Sequence, residues 1–206
     1  SGDAYVTGLV CWDKGSSVNC NVQFGGIYQH YRHGSNGGNA FIAKISSSGT
    51  WQWLNHATGS TSSGLDIEIT SSGDIYGLFE HSGSMYFNNT NAPYRGLAVY
   101  KFNSTGYVTW MRYVTSNTSC GQSSCGFTIA GGGMTLDSSG NVYFTGTYAG
   151  FAVLSDNVYT PVALDWQGCN PALNSGGCDN LIFVMKLFAN GTLDWDQYVP
   201  RPTSYG

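Results

Sequence analysis

The sequence predicts an all-β fold made of repeated four-stranded antiparallel units. Three observations predict it. The first is a layout that occurs three times: an apolar run, a Lys, a turn rich in small polar residues and a Trp. It reads "FIAKISSSGTWQW" (41–53), "AVYKFNSTGYVTW" (98–110) and "IFVMKLFANGTLDW" (182–195). Lys44, Lys101 and Lys186 each stand five residues before Gly49, Gly106 and Gly191, which stand four residues before Trp53, Trp110 and Trp195. The second is a companion block, "SGDAYVTG" (1–8), "SGDIYGLF" (72–79) and "SGNVYFTG" (139–146), which alternates with the first. The third is composition: these runs are rich in Val, Ile, Tyr, Phe and Thr, are bounded by Gly, and show no helical periodicity.

Taken in order, each element has its own justification. "DAYVTG" opens the chain as a strand, here named B. "AFIAKI" is a β-rich run, strand C, and "SSSG" reverses the chain with Gly where a positive φ is needed. The segment from Trp53 onward is strand D. The second unit adds a strand A, "GLDIEIT" (64–70), ahead of its Ser-Gly turn, then "DIYGLF", "LAVYKF" and the segment from Trp110. The third repeats the order with "GGGMTLD" (131–137), "NVYFTG", "IFVMKL" and the segment from Trp195. Internal repeats of one supersecondary unit mark repeat architectures. Four antiparallel strands per unit are the blade of a β-propeller. The expectation is a single repeat domain, 1–206, of about three blades (about 1–63, 64–131 and 132–206), the first lacking strand A. Natural propellers have about four to eight blades. Either the remaining blades belong to a longer chain, or neighbouring chains complete the open edges.

"LDSSGNVYFTG" (136–146) and "NAFIAKISSSGTWQW" (39–53) resemble the extracellular β-propeller repeat of bacterial and archaeal secreted and surface proteins. The Gly-x-x-x-Trp spacing is similar to the tryptophan-docking element of quinoprotein propellers. The second unit departs at "SGDIYGLFE", which lacks the Thr-Gly. The resemblance implies a propeller fold and an extracellular setting. It implies no catalytic residues, because these motifs are scaffold. Repetition of Lys and Trp at one place per unit points to packing. Lys lays its stem over the sheet with its ammonium at water or an acceptor. Trp fills the space between units and donates its indole N–H to a carbonyl.

Composition narrows the setting. Only 10% of the 206 residues are charged, net charge is −4, and Lys plus Arg number 8. No basic run offers phosphate contacts, so nucleic acid is not an expected partner. No apolar run reaches the roughly 20 residues of a membrane span. Six cysteines, Cys11, Cys20, Cys120, Cys125, Cys169 and Cys178, lack zinc or redox spacing. They allow 15 pairings, of which local pairing inside three loops (11–20, 120–125, 169–178) is the simplest. Disulfides imply an oxidising compartment. Sequons at Asn88, Asn103, Asn117 and Asn190 agree with it, those at Asn103 and Asn190 falling in predicted hairpin turns.

Candidate chemistry is sparse. His30 and His33 form an H-x-x-H without the Glu of a metalloprotease helix, and His56 and His81 stand alone. Asp66 and Glu68 alternate along a strand and share a face, as paired glycosidase carboxylates would require, but no second acid faces them in the pattern. Asp137 suits either a calcium ion or, as such residues more often do, its own turn amides. No nucleophile elbow or phosphate-binding loop is present. Tyr28 and Tyr31 in "GGIYQHYRHG" (25–34), read as an exposed loop, and Tyr94 in "NAPYRG" (91–96) are candidates to stack on sugar rings. The expected function is a non-enzymatic extracellular or cell-surface structural protein, without cofactor, that self-associates as a filament, adhesin or surface-layer subunit. A carbohydrate-binding propeller, and a piece of a larger secreted propeller enzyme, are the alternatives.

Overall fold

The computed structural model describes residues 2–10, 19–32, 38–116, 130–148, 152–155, 162–163 and 181–199. Within them the chain is all-β and antiparallel, with no helix and hence none long and apolar enough to cross a membrane. The first third contributes β1 (Ala4–Val10), β2 (Asn19–Phe24), β3 (Ile27–Arg32), β4 (Asn39–Ile45) and β5 (Trp51–His56). The middle contributes β6 (Thr58–Gly59), β7 (Ser62–Ile69), β8 (Ile75–His81), β9 (Met85–Phe87), β10 (Thr90–Ala92), β11 (Gly96–Phe102) and β12 (Val108–Ser116). The last third contributes β13 (Ala130–Leu136), β14 (Val142–Tyr148), β15 (Ala152–Ser155), β16 (Val162–Ala163), β17 (Leu181–Leu187) and β18 (Leu193–Val199).

Three sheets carry the repeat. The first is β1-β4-β5, corresponding to strands B, C and D, with no strand A among the described residues. The third is β13-β14-β17-β18, a complete A-B-C-D. The middle sheet differs from the expected four strands: it has six, in the order β16-β15-β12-β11-β8-β7. The two additional strands come from the B–C connection of the third unit. β15 pairs with β12, strand D of the preceding unit, from Tyr113↔Ser155 to Ser116↔Ala152. A sheet edge has unpaired N–H and C=O groups, and strand addition satisfies them. The second unit does likewise: its B–C hairpin, β9–β10, pairs through β9 with β6, which follows strand D of the first.

The reading of residues 25–34 as a loop is corrected over its described part, residues 25–32. Phe24 pairs with Ile27, leaving Gly25-Gly26 as a two-residue hairpin turn between β2 and β3. Gly25 has φ +58°, which two-residue hairpin turns need and Gly supplies without steric cost. Tyr28, His30 and Tyr31 are therefore strand residues of β3.

The C–D turns are built alike. In each, the Gly N–H donates to the carbonyl three residues back: Gly49 to Ser46 (2.9 Å), Gly106 to Asn103 (2.9 Å) and Gly191 to Phe188 (2.8 Å). Their φ values are +79°, +83° and +85°. Sequence position thus translates into one repeated loop geometry, a type I turn closed by a left-handed Gly.

The sheets stack face to face. Along β11, Leu97 and Val99 point to one side and Ala98, Tyr100 and Phe102 to the other, and all five are fully buried. Side chains alternate across a strand, so the continuous apolar run "LAVY" records burial on both faces. Leu97, Val99, Leu78 and Val114 pack with Val142, Phe144, Phe183 and Met185 of the third sheet. Ala98, Tyr100 and Phe102 pack with Ala40 and Ile42 of the first, together with Met85 and Phe87 of the β9–β10 hairpin. The hairpin's Phe87 meets Phe102 edge-on at 5.3 Å and 90°, a favoured aromatic geometry. By contrast β14 alternates strictly between buried and half-buried positions.

One buried group makes this core sensitive to acid. His81, at the end of β8, is 1% exposed, and its Nδ1 lies 2.7 Å from the Gly83 carbonyl. Its Nε2 has no hydrogen-bond partner among the described residues. Burial lowers its pKa from 6.5 to about 4. Between those values the unfolded chain binds more protons than the folded one. Stability is therefore full above pH 6.5, falls as pH drops through that window, and levels off below about 4. The loss is on the order of 3 kcal/mol. Urea unfolding at pH 7 and pH 4.5 is expected to show the fall in the wild type and a smaller one in His81→Asn. An equal fall in both would assign the acid sensitivity to other groups.

Candidate functional site

The repeat motifs converge on one constellation that occurs in every unit. Register pairs Lys44 with Tyr5 and Trp53, Lys101 with Tyr76 and Trp110, and Lys186 with Tyr143 and Trp195. Each trio spans strands B, C and D on one face. The rings meet edge-on: Tyr5–Trp53 at 6.1 Å, Tyr76–Trp110 at 5.8 Å and Tyr143–Trp195 at 6.0 Å. Each ammonium lies over its Tyr ring, at 5.5, 5.2 and 5.4 Å from the centroid, the geometry of a cation–π contact.

The Lys also has a carboxylate partner, and here the units diverge. Lys44 pairs with Asp3 at 3.0 Å and Lys101 with Asp74 at 2.8 Å, both from the Ser-Gly-Asp block. In the third unit that position is Asn141, and Lys186 pairs with Asp194 of β18 at 2.8 Å instead. Hydrogen bonding to Lys44 holds Asp3 below the usual carboxylate range, and Asp3 in turn raises Lys44. The Lys101–Asp74 pair is partly exposed, and pairs of that kind contribute about 0–1 kcal/mol. Lys101→Met is thus expected to cost less than about 1 kcal/mol in urea unfolding. A loss above about 2 kcal/mol would place the ion pair at the centre of the interlock rather than at its rim.

The Trp reaches the next unit. The Trp53 indole donates to the Ser104 carbonyl at 3.2 Å, and Trp110 to the Ala189 carbonyl at 3.1 Å. The ring lies against the turn glycine: a Cβ on Gly106 would stand 3.1 Å from Trp53, and one on Gly191 would stand 3.0 Å from Trp110. The residue two beyond each Trp adds a second bond. Asn55 Nδ2 donates to the Gly106 carbonyl at 2.9 Å, and Arg112 Nε donates to that of Gly191. Each C–D turn of units two and three is thereby clamped by the unit before it. The Trp and the Gly were legible as signals. The Asn55 and Arg112 donors were not, because nothing in the sequence marks them.

The remaining candidates are placed as follows. Asp66 and Glu68 pair with Leu78 and Tyr76 and share a face. Asp66 spends its carboxylate on amides, accepting from Ile67 N and, across to the third sheet, from Met134 N, both at 2.8 Å. Asp137 accepts from Ser139 N and Asn141 N at 2.9 Å and from Asn141 Nδ2 at 2.8 Å, which lowers its pKa, the side-chain bond leading. Of its two readings, the structure places it as the cap of its own turn. Among the described residues no group of three or more His, Cys, Asp or Glu is placed to hold a metal.

Asn103 and Asn190 occupy C–D turns, and each Oδ1 accepts from the backbone N–H and hydroxyl of the sequon Thr. Asn88 also lies in a hairpin turn, between β9 and β10, with φ +53°. Asn117 lies outside the described residues, as do Cys11, Cys120, Cys125, Cys169, Cys178 and His33. Only the backbone is described at Cys20, Tyr28, His30 and Tyr31. Tyr94 is 56% exposed in the loop before β11. No protein-family model matches the chain, and no curated protein is significantly similar to it.

Proposed function

We propose that the chain is a non-enzymatic, extracellular structural protein of β-propeller-type units that assembles with other copies of itself. The observation that carries this reading is the three-fold recurrence of the Tyr-Lys-Trp face, which twice clamps the C–D turn of the following unit. In two of three occurrences this face is spent on joining one sheet to the next. The titratable groups at the repeats are engaged in structural contacts: the Lys and Asp form rim pairs within a unit, Asp137 caps its own turn, and Asp66 links two sheets. The low charge, the sequons and the even number of cysteines support an oxidising, extracellular setting. The resemblance to extracellular propeller repeats supports the same setting.

Electron microscopy of the purified glycosylated chain tests the assembly role. Ordered oligomers or filaments are the expected result. Discrete monomers at high protein concentration would sink it.

A further inference from the structure

The faces that bear the Tyr-Lys-Trp trio are equivalent in sequence and unequal in exposure. Two and four residues before the Lys stand Ile42 and Ala40 in the first unit and Val99 and Leu97 in the second, all 0% exposed. In the third unit they are Val184 and Ile182, 37% and 50% exposed. Four residues after the Trp stand Ala57 and Val114, both 0% exposed, and Val199, 56% exposed. Trp53 and Trp110 are packed against a core, whereas Trp195 is 37% exposed. No hydrogen bond engages the Trp195 indole N–H among the described residues.

The complementary half of the joint is open at the other end of the stack. The turns that receive Trp53 and Trp110 have buried glycines, Gly106 and Gly191. The Ser46–Gly49 turn has the same hydrogen bonds and the same positive φ, yet Gly49 is exposed and a Cβ there would meet nothing within 4 Å. Around it the outward face of the first sheet is apolar: Val6, Phe41 and Ile45 are half-buried, with Phe24 of β2 lying 5.2 Å from Phe41. The edges match too. In units two and three the B–C insertion pairs with strand D, or its continuation, in the unit before. The insertion of unit one, β2–β3, pairs with no other described strand, and no described strand pairs with the outer edge of β18.

We propose that the open face of the third sheet binds a second copy of this chain head to tail. Trp195 docks on the partner's Ser46–Gly49 turn as Trp53 and Trp110 dock within the chain. The indole N–H donates to the carbonyl at the position of Ser104 and Ala189, which is Ser47, and Gln197 takes the role of Asn55 and Arg112 toward Gly49. Two different surfaces meet, so the contact is heterologous and propagates into a ring or a filament. This assignment rests on the assembly reading above and gives it a polarity and an interface.

Sedimentation velocity over a concentration series tests it with two variants, each folded by circular dichroism. Trp195→Ala removes the donor half. Gly49→Asn obstructs the acceptor half with a residue that tolerates the left-handed conformation. The wild type is expected to form species larger than 22.1 kDa. Each variant alone is expected to weaken association at least about 30-fold, the size of an interface hot spot. An equimolar mixture of the two is expected to form a discrete heterodimer, because each retains the half the other lacks. A wild type that assembles while both variants assemble equally well overturns this interface and leaves the assembly reading standing. A wild type monomeric to about 1 mM overturns both, and leaves the face to a further repeat unit.

Discussion

Trp110→Ala is expected to lower the unfolding free energy by about 3–5 kcal/mol, the cost of truncating a large aromatic in a packed core. Three contacts are lost at once. The ring is packed against the core between the middle and third sheets, meets Tyr76 edge-on, and donates to Ala189. Its removal also uncovers the Gly191 turn. Domains are typically stable by about 5–15 kcal/mol, so the variant approaches the threshold of folding. Trp195→Ala is the internal control. It has the same place in the repeat and the same edge-on Tyr contact, but no turn beneath it among the described residues, and is expected to cost less than about 1 kcal/mol in the monomer. Chemical unfolding of the two variants decides the matter. Similar losses would mean that the Trp stabilises its own hairpin and not the joint between sheets.

This contrast shows what can be read from the amino acids and where reading stops. The C–D hairpins were legible because their signals are local: a Gly that must be left-handed, and a Trp at fixed spacing from it. The two-sided run "LAVY" was legible as a strand, although only the packed sheets show that both its faces are buried. The six-stranded middle sheet was not legible. Its extension pairs residues 113–116 with 152–155, and nothing local in "AVLS" names a partner so far back. The role of Asp66 was hidden for the same reason. Its alternation with Glu68 marks a polar strand position without a facing acid, and its partner, the Met134 amide, lies 68 residues away. Even the repeated Lys hid a difference, since the loss of its Asp at Asn141 is compensated by Asp194 on another strand. Exposure of Trp195 was beyond reach altogether, because it depends on what a face meets and not on what it contains.

The turn glycines provide the second large expected effect, and they isolate the joint from the loop. Gly106→Ala and Gly191→Ala are each expected to destabilise the chain by about 2–5 kcal/mol. A left-handed conformation costs a non-glycine residue about 1–2 kcal/mol, and φ is +83° and +85° at these sites. The added methyl would also stand 3.1 and 3.0 Å from the Trp53 and Trp110 rings, closer than the 3.5–4.0 Å of optimal carbon contact. The ring is held by its own hydrogen bond and core packing, so it yields only with strain, an overpacking cost of about 1–3 kcal/mol. Gly49→Ala carries the backbone term alone, since φ is +79° and nothing lies within 4 Å. It is expected to cost about 1–2 kcal/mol. Subtracting the Gly49 loss from the others removes the conformational part and leaves the energy of displacing the Trp. A further arm separates the two terms: in the Trp110→Ala background the clash is gone, and Gly191→Ala should fall to the Gly49 value. If Gly191→Ala costs the same with and without the Trp110 ring, the glycine is required by the turn alone and the ring does not clamp it.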